Sequence, residues 1–225
     1  MTVFLVFALV GLANATTYTA TSYSELMEAL GKAQPGDTIV VAGNITATKP
    51  IQIQKDDITV RAEGDVTVSG SEVVFLIGAA WEFDPDTSTY TSKRISGVTV
   101  EGFNVDGGDI GVLIKNAENC TVKGMTITGS DEGIRLIDAS GCTIENNTID
   151  VAADGIGIFL QNSTNNILKG NMVTSSGLGL FIFDSNGNSV TGDEYSQNGN
   201  GGVVLNDSTE NTLQNLTVQG NTGWG

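Results

Sequence analysis

The chain repeats one pattern at a near-fixed interval. An Asn or Asp followed by a small residue anchors it at Asn116-Ala117, Asp138-Ala139, Asn162-Ser163, Asp184-Ser185 and Asp207-Ser208, with spacings of 22, 24, 22 and 23 residues. Gly stands five residues before each anchor, at Gly111, Gly133, Gly157, Gly179 and Gly202. Aliphatic residues stand four before (Val112, Ile134, Ile158, Leu180, Val203), two before (Ile114, Leu136, Leu160, Ile182, Leu205) and six after (Val122, Ile144, Leu168, Val190, Leu213). Ile127, Ile149, Val173, Tyr195 and Val218 follow at eleven after. A fixed period in the low twenties marks a repeat array. Within each copy, apolar residues alternate over a few positions between Gly, Asn, Asp and Ser, and no helical spacing occurs, so each copy holds two or three short strands with tight bends. A unit this small cannot bury its apolar face alone and must lie on its neighbours. The expected fold is all-β: a right-handed parallel β-helix, a solenoid with coils of about 22 residues. Equivalent residues then stack about 4.8 Å apart and the aliphatic columns become the core. The Gly column suits positive φ and close backbone approach. Asn or Asp at the bend can bond local backbone groups in the left-handed region.

Upstream the pattern loosens. Asp37–Val41, Asp57–Val60 and Gly97–Val100 read as earlier coils, with Val40, Val60 and Val100 as equivalents. The last interval leaves room for a loop insertion at about 78–94. The segment SYSELMEALGKA, about 22–33, is a short N-terminal α-helix, with Ser22 or Ser24 as cap, that plugs the open end of the core. The first 15 residues, apolar from Val3 to Leu12 and closing on Ala13-Asn14-Ala15, read as a signal peptide, leaving 16–225 as a single domain. At the other end the chain stops inside a coil at NTGWG, so the domain reads as C-terminally truncated. No later stretch is long enough to span a bilayer, and no membrane insertion is expected.

Charge and composition narrow the function. With 10 basic against 26 acidic residues the formal charge is −16, which argues against nucleic acid as a partner. The chain has no His. Ser–His–Asp and Cys–His catalysis and His-based zinc or copper sites are therefore excluded.

The segment AQPGDTIVVAGNI after the helix resembles the start of pectin-lyase-like right-handed β-helix proteins. The coils NCTVKGMTITGSDEGIRLIDAS and NNTIDVAADGIGIFLQNSTNNILKGN are similar to carbohydrate-binding and sugar-hydrolase (CASH) repeats of the NosD-type periplasmic copper-binding family and of archaeal and bacterial surface proteins. The resemblance covers about residues 20–225 and implies the fold; lyases, hydrolases, epimerases and non-enzymatic surface proteins all share it. It implies a secreted, cell-surface or periplasmic location and a polysaccharide or cell-surface glycan as partner, with other domains of a longer surface protein as further partners. The polygalacturonase pattern of paired Asp, Gly-His-Gly and Arg-x-Lys is missing, and Met27, Met125 and Met172 form no copper-binding cluster.

Two functional readings stay open: a glycan-binding or structural module, and a Ca²⁺-dependent polysaccharide lyase. For the lyase, Asp131, Glu132 and Asp154 are the oxygen cluster that would take Ca²⁺ and Arg135 the base; the competing reading is a solvated bend with an ordinary ion pair. Asp106 and Asp150 share a column, with Thr128 between them, which is poor for a two-carboxylate hydrolase. For binding, residues one and three before the anchor face outward, placing Phe159, Phe181 and Phe183 on one outer face as a sugar platform, a partner surface or the seat of a loop. Trp81 and Tyr90 in the insertion suit glycan contact on a loop. Cys120 and Cys142 share a column and suit either a disulfide or stacked free thiols. Asn-x-Ser/Thr sequons at Asn44, Asn119, Asn146, Asn162, Asn206 and Asn215 carry little weight in so Asn-rich a chain.

Overall fold

The computed structural model describes residues 15–78, 81–84 and 89–223, with the backbone path alone for 81–84 and 89–92. The chain winds into a parallel β-helix of about 8 turns. One wall is a seven-stranded sheet of Ile51–Ile53, Val73–Gly78, Ile110–Lys115, Glu132–Ile137, Ile156–Gln161, Leu178–Phe183 and Gly201–Asn206. A fifteen-stranded sheet forms the other sides in two columns. One column contains Thr121–Lys123, Thr143–Glu145, Ile167–Lys169 and Ser189–Thr191; the other contains Thr126–Thr128, Thr148–Asp150, Met172–Thr174 and Glu194–Ser196. Strand Thr99–Asp106 is long enough to pair with the first strand of each.

The repeat columns are vertical neighbours. Val112, Ile134, Ile158, Leu180 and Val203 pair in sequence, as do Ile114, Leu136, Leu160, Ile182 and Leu205. The first four of each set are fully buried. At roughly 1.5–3 kcal/mol for each buried aliphatic side chain, these columns dominate stability.

The anchors make the bend. Asn116, Asp138, Asn162, Asp184 and Asp207 all have φ between 48° and 53°, where short polar side chains are tolerated. The Gly column has a different cause from the one the sequence suggests. Gly111, Gly133, Gly157, Gly179 and Gly202 are outside the positive-φ set. A Cβ on Gly133 would meet Gly157 O at 2.5 Å and Ile149 Cγ2 at 2.6 Å. Close approach alone therefore demands glycine here.

Buried amides join the coils at two corners. In one, Asn147 N and Nδ2 both donate to Asn171 Oδ1, and Asn171 donates likewise to the Asp193 carboxylate. In the other, Asn166 donates to Asn188, and Asn188 to Asn211, in the same two-bond manner. Each amide also reaches back to a carbonyl of an earlier coil, as Asn171 Nδ2 does to Ile144 O, so the buried polar groups are satisfied.

Helix α1, Tyr23–Lys32, closes the N-terminal end. Ser22 Oγ accepts from Glu25 N at 3.3 Å, and the Glu25 carboxylate reaches back to Thr21 N at 2.7 Å, close to a capping box. Leu26, Ala29 and Leu30 face the core. Lys55 Nζ donates to Gly31 O and Ala33 O at the helix C-terminus, where a cation is favoured.

Two upstream details differ from the sequence reading. Thr17–Ala20 forms a strand on Thr38–Val41; four residues are too few for its alternation to stand out. The residue equivalent to Val60 is Ile39, because Val40 pairs with Arg61 and lies outside the core cluster. The insertion holds an antiparallel hairpin, Trp81–Asp84 with Thr89–Ser92.

A candidate binding face and groove

Alternation along the seven-stranded sheet turns every second residue outward. The middle outward column runs Leu76, Leu113, Arg135, Phe159, Phe181, Val204. Phe159 and Phe181 have ring centroids 5.0 Å apart and planes 13° apart. Nearly parallel phenyl rings this close cannot lie edge by edge; they overlap face on face. Arg135, on the strand at the other side of Phe159, places its guanidinium carbon 4.8 Å from that ring centroid, a cation–π contact. Phe159 is therefore flanked by Phe181 on one side and by Arg135 on the other, and both rings stay half-exposed. Phe183 lies 6.1 Å from Phe181 at a 46° tilt.

Arg135 is held from three sides. Nη1 donates to both Glu132 oxygens at 3.1 and 3.2 Å, Nη2 donates to Gln161 Oε1 at 2.7 Å, and Nε is buried without a partner. Burial pushes the Glu132 carboxyl above its ordinary range, and the Arg135 cation partly opposes that. Both Nη atoms and the ring-facing side of the guanidinium are therefore engaged within the sheet. Asp131 and Asp154 are exposed. Among the described residues no three acidic, Cys or His side chains gather to hold a metal. The structure thus joins Glu132 to Arg135 and leaves Asp131 and Asp154 outside any such group. Asp106, Thr128 and Asp150 do lie in one column.

Beside the Phe ladder lies an open groove of about 720 Å³. Ile156, Leu178 and Val204 supply its apolar lining; Asp154, Asn200 and Thr222 supply polar groups from the adjoining bends. Sequence reasoning missed Ile156 and Leu178. They stand six before the anchor, which simple alternation assigns to the inward set; two consecutive buried residues, Gly157 and Ile158 on one strand and Gly179 and Leu180 on the next, shift the phase so that both turn outward. Asn200 and Thr222 lie in bends whose direction alternation does not encode. The backbones of Trp81 and Tyr90 lie on the hairpin; their side chains are outside the described residues.

A family model described as "Periplasmic copper-binding protein (NosD)" matches residues 37–225. The chain belongs to the NosD family. The family is described as periplasmic, which is consistent with a secreted or periplasmic location for this chain. A search of curated proteins finds no match. Solved structures share the fold of this NosD-family chain at low identity. An alginate lyase from Paenibacillus sp. str. FPU-7 is 15% identical with a TM-score of 0.59, over 93% of this chain and 98% of that one. Pectate lyase Pel9A is 13% identical with a TM-score of 0.62, over 95% and 78%. A rhamnogalacturonan lyase is 12% identical with a TM-score of 0.64, over 92% and 63%.

Copper does not fit the residues present in this family member. The chain lacks His. Met125 is buried in the core, Met172 is exposed on the fifteen-stranded sheet and Met27 is on α1. Cys120 and Cys142 are buried free thiols, each bonded to a carbonyl two residues back, Glu118 O and Ser140 O. Cys142 N donates to Asn166 Oδ1, so the cysteines head the column that the asparagines continue.

No helix among the described residues is long and apolar enough to cross a membrane.

Proposed function

We propose that this NosD-family protein is a non-catalytic polysaccharide-binding module, with its ligand seated in the groove of Asp154, Ile156, Leu178, Asn200, Val204 and Thr222. The observation that carries this reading is the pairing of an aliphatic floor with carboxylate, amide and hydroxyl groups at the rim. Sugars present both a C–H face and a ring of hydroxyls, and sites for such ligands combine apolar surface with a few placed polar groups. Solved proteins of the same fold are named as lyases of alginate, pectate and rhamnogalacturonan, which supports a polysaccharide as the ligand class. Phe159 and Phe181, stacked on each other with Arg135 on Phe159, act as the wall beside the groove.

The test is a glycan array with the purified protein, uronate polymers included, beside a lyase assay with Ca²⁺ that reads unsaturated product by absorbance. Binding that weakens at least about tenfold in both Asn200→Ala and Asp154→Ala supports the groove. Turnover of a uronate polymer that disappears in Arg135→Ala would replace this reading with the lyase. Absence of both binding and turnover would leave an architectural spacer.

A further inference from the structure

We infer that the outer face of the seven-stranded sheet is where two copies of this chain meet. The face is built for contact with another apolar surface. Leu76, Leu113, Phe159 and Phe181 run along its middle, with Ile137 and Phe183 in the column beside them, and all six are half-buried by their neighbours without being covered. Half-exposed phenyl rings suit packing against the side chains of a second sheet about 10 Å away, as in face-to-face sheet pairs.

Charge argues for a second copy. The chain carries −16, so two copies repel through most of their surfaces. The charged residues at the outward positions of this sheet are Lys115, Glu132 and Arg135, two positive and one negative. Glu132 and Arg135 neutralise each other at 3.1 Å. The strand positions of the face therefore carry little net charge, while exposed Glu72, Asp109, Asp131 and Asp154 line the margin before its strands; like-charged copies approach through this face once salt screens that margin. With the two helix axes antiparallel, exposed Lys115 at one end of the face meets exposed Asp184 and Asp207 at the other end of the second copy, twice by symmetry.

The area fits a reversible dimer. Six strands at about 4.8 Å and five or six residues at about 3.3 Å make a patch of roughly 24 by 17 Å. Counted over both copies and allowing for surface relief, such a contact removes on the order of 1,000–1,200 Å² from water, the lower edge of specific interfaces. Dissociation in the micromolar range is expected.

Sedimentation equilibrium of the purified protein, from about 1 to 200 µM, should show the mass rising to twice the monomer, since an interface of this size dissociates within that range. Phe181→Glu should weaken association at least about tenfold by placing a carboxylate at the centre of the contact. Leu113→Glu, three coils away, should do the same and decides the matter if the first variant fails to fold by circular dichroism. Thr148→Glu, on the fifteen-stranded sheet, should dimerise as the native chain does apart from added long-range repulsion, which salt removes. A monomer across the whole range, or a dimer indifferent to folded Phe181→Glu and Leu113→Glu, overturns the inference. The outcome is separate from glycan binding, because Asn200→Ala and Asp154→Ala lie in bends outside the sheet and leave the dimer intact.

Discussion

The two walls of the solenoid have the same interior and different exteriors: Thr and ion pairs predominate on one, a contiguous aromatic and aliphatic column on the other. Inside, both present fully buried columns: Ile134, Ile158 and Leu180 on one wall, Val122, Ile144 and Leu168 on the other. Outside, the fifteen-stranded sheet shows Thr99, Thr121 and Thr143, then Thr126 and Thr148, with ion pairs between coils at Lys123–Glu101 (2.8 Å) and Lys169–Glu145 (3.4 Å); single exposed apolar residues, Ile167 and Met172, follow in the two Thr columns. The seven-stranded sheet shows Leu113, Arg135, Phe159 and Phe181. The contrast teaches that a β-helix uses its inward columns and corners for the fold, while each outward column is free to suit water or a partner. Substitutions inside should damage both walls alike. Outside, their effects should separate stability from association.

The largest effect is expected where the walls meet. Gly157 lies between the Gly179 carbonyl, 2.8 Å from where its Cβ would be, and the Val173 side chain of the other sheet. Gly157→Val should prevent the native solenoid from forming, a loss of about 4 kcal/mol or more from overpacking against backbone. Circular dichroism and solubility report it; a well-folded variant would mean that the walls are not locked together at this corner.

Next come two adjacent residues that point opposite ways. Leu160 is fully buried, whereas Phe159 is half-exposed. Leu160→Ala should cost about 3 kcal/mol in chemical denaturation. Phe159→Ala should cost about 1–2 kcal/mol, from partial burial and the lost Arg135 contact. Equal losses would make the outer ladder part of the core and erase the distinction between inside and outside.

What was legible in the sequence follows the same division. The inward columns were readable because stacking forces equivalent positions to be alike: Ile134, Ile158 and Leu180 repeat since each is the floor of the next. The outward Phe residues could be placed on one face by alternation alone. Their chemistry could not, because whether Phe159 offers a face or an edge depends on rotamers shared with Arg135 and Phe181. Likewise Asp131, Glu132 and Arg135 are close in sequence, yet period two would set Glu132 and Arg135, three apart, on opposite sides; the consecutive buried residues Gly133 and Ile134 shift the phase and bring them together. The groove escaped notice because its bend positions, Asp154, Gly177, Asn200 and Gly223, stack at the coil period but carry different side chains, so no residue type repeats there.

A smaller effect should come from a corner that both walls share. Asp193 ends a column of asparagines. It is fully buried, accepts from Asn171 N, Asn171 Nδ2 and Tyr195 Oη, and has its carboxyl pushed above the ordinary range by burial. A carboxyl that holds its proton more tightly folded than unfolded contributes most below its unfolded pKa; that contribution is lost as pH rises through the ordinary range into the raised one. Asp193→Asn cannot ionise and regains a donor that can reach Leu168 O, as Asn171 reaches Ile144 O. The variant should be more stable by about 1 kcal/mol at neutral pH, with the gap narrowing towards pH 4. Thermal melts at the two pH values check this; a gap that widens in acid would contradict the direction given for Asp193.

The smallest effect is expected on the solvated exterior, and it makes the comparison quantitative. Lys169 is paired with Glu145 at 3.4 Å, with its side chain 61% exposed. Lys169→Thr restores the side-chain type common on that wall and should change stability by no more than about 0.5 kcal/mol, since exposed pairs contribute little. Phe181→Thr makes the same kind of replacement on the other wall. Its cost in folding should exceed that of Lys169→Thr only by the partial burial of one ring, about 1–2 kcal/mol. Its cost in self-association should be far greater. If denaturation of dilute protein accounts for the entire difference between the two variants, the apolar exterior serves the fold; if the difference grows with protein concentration, that exterior serves a contact between copies.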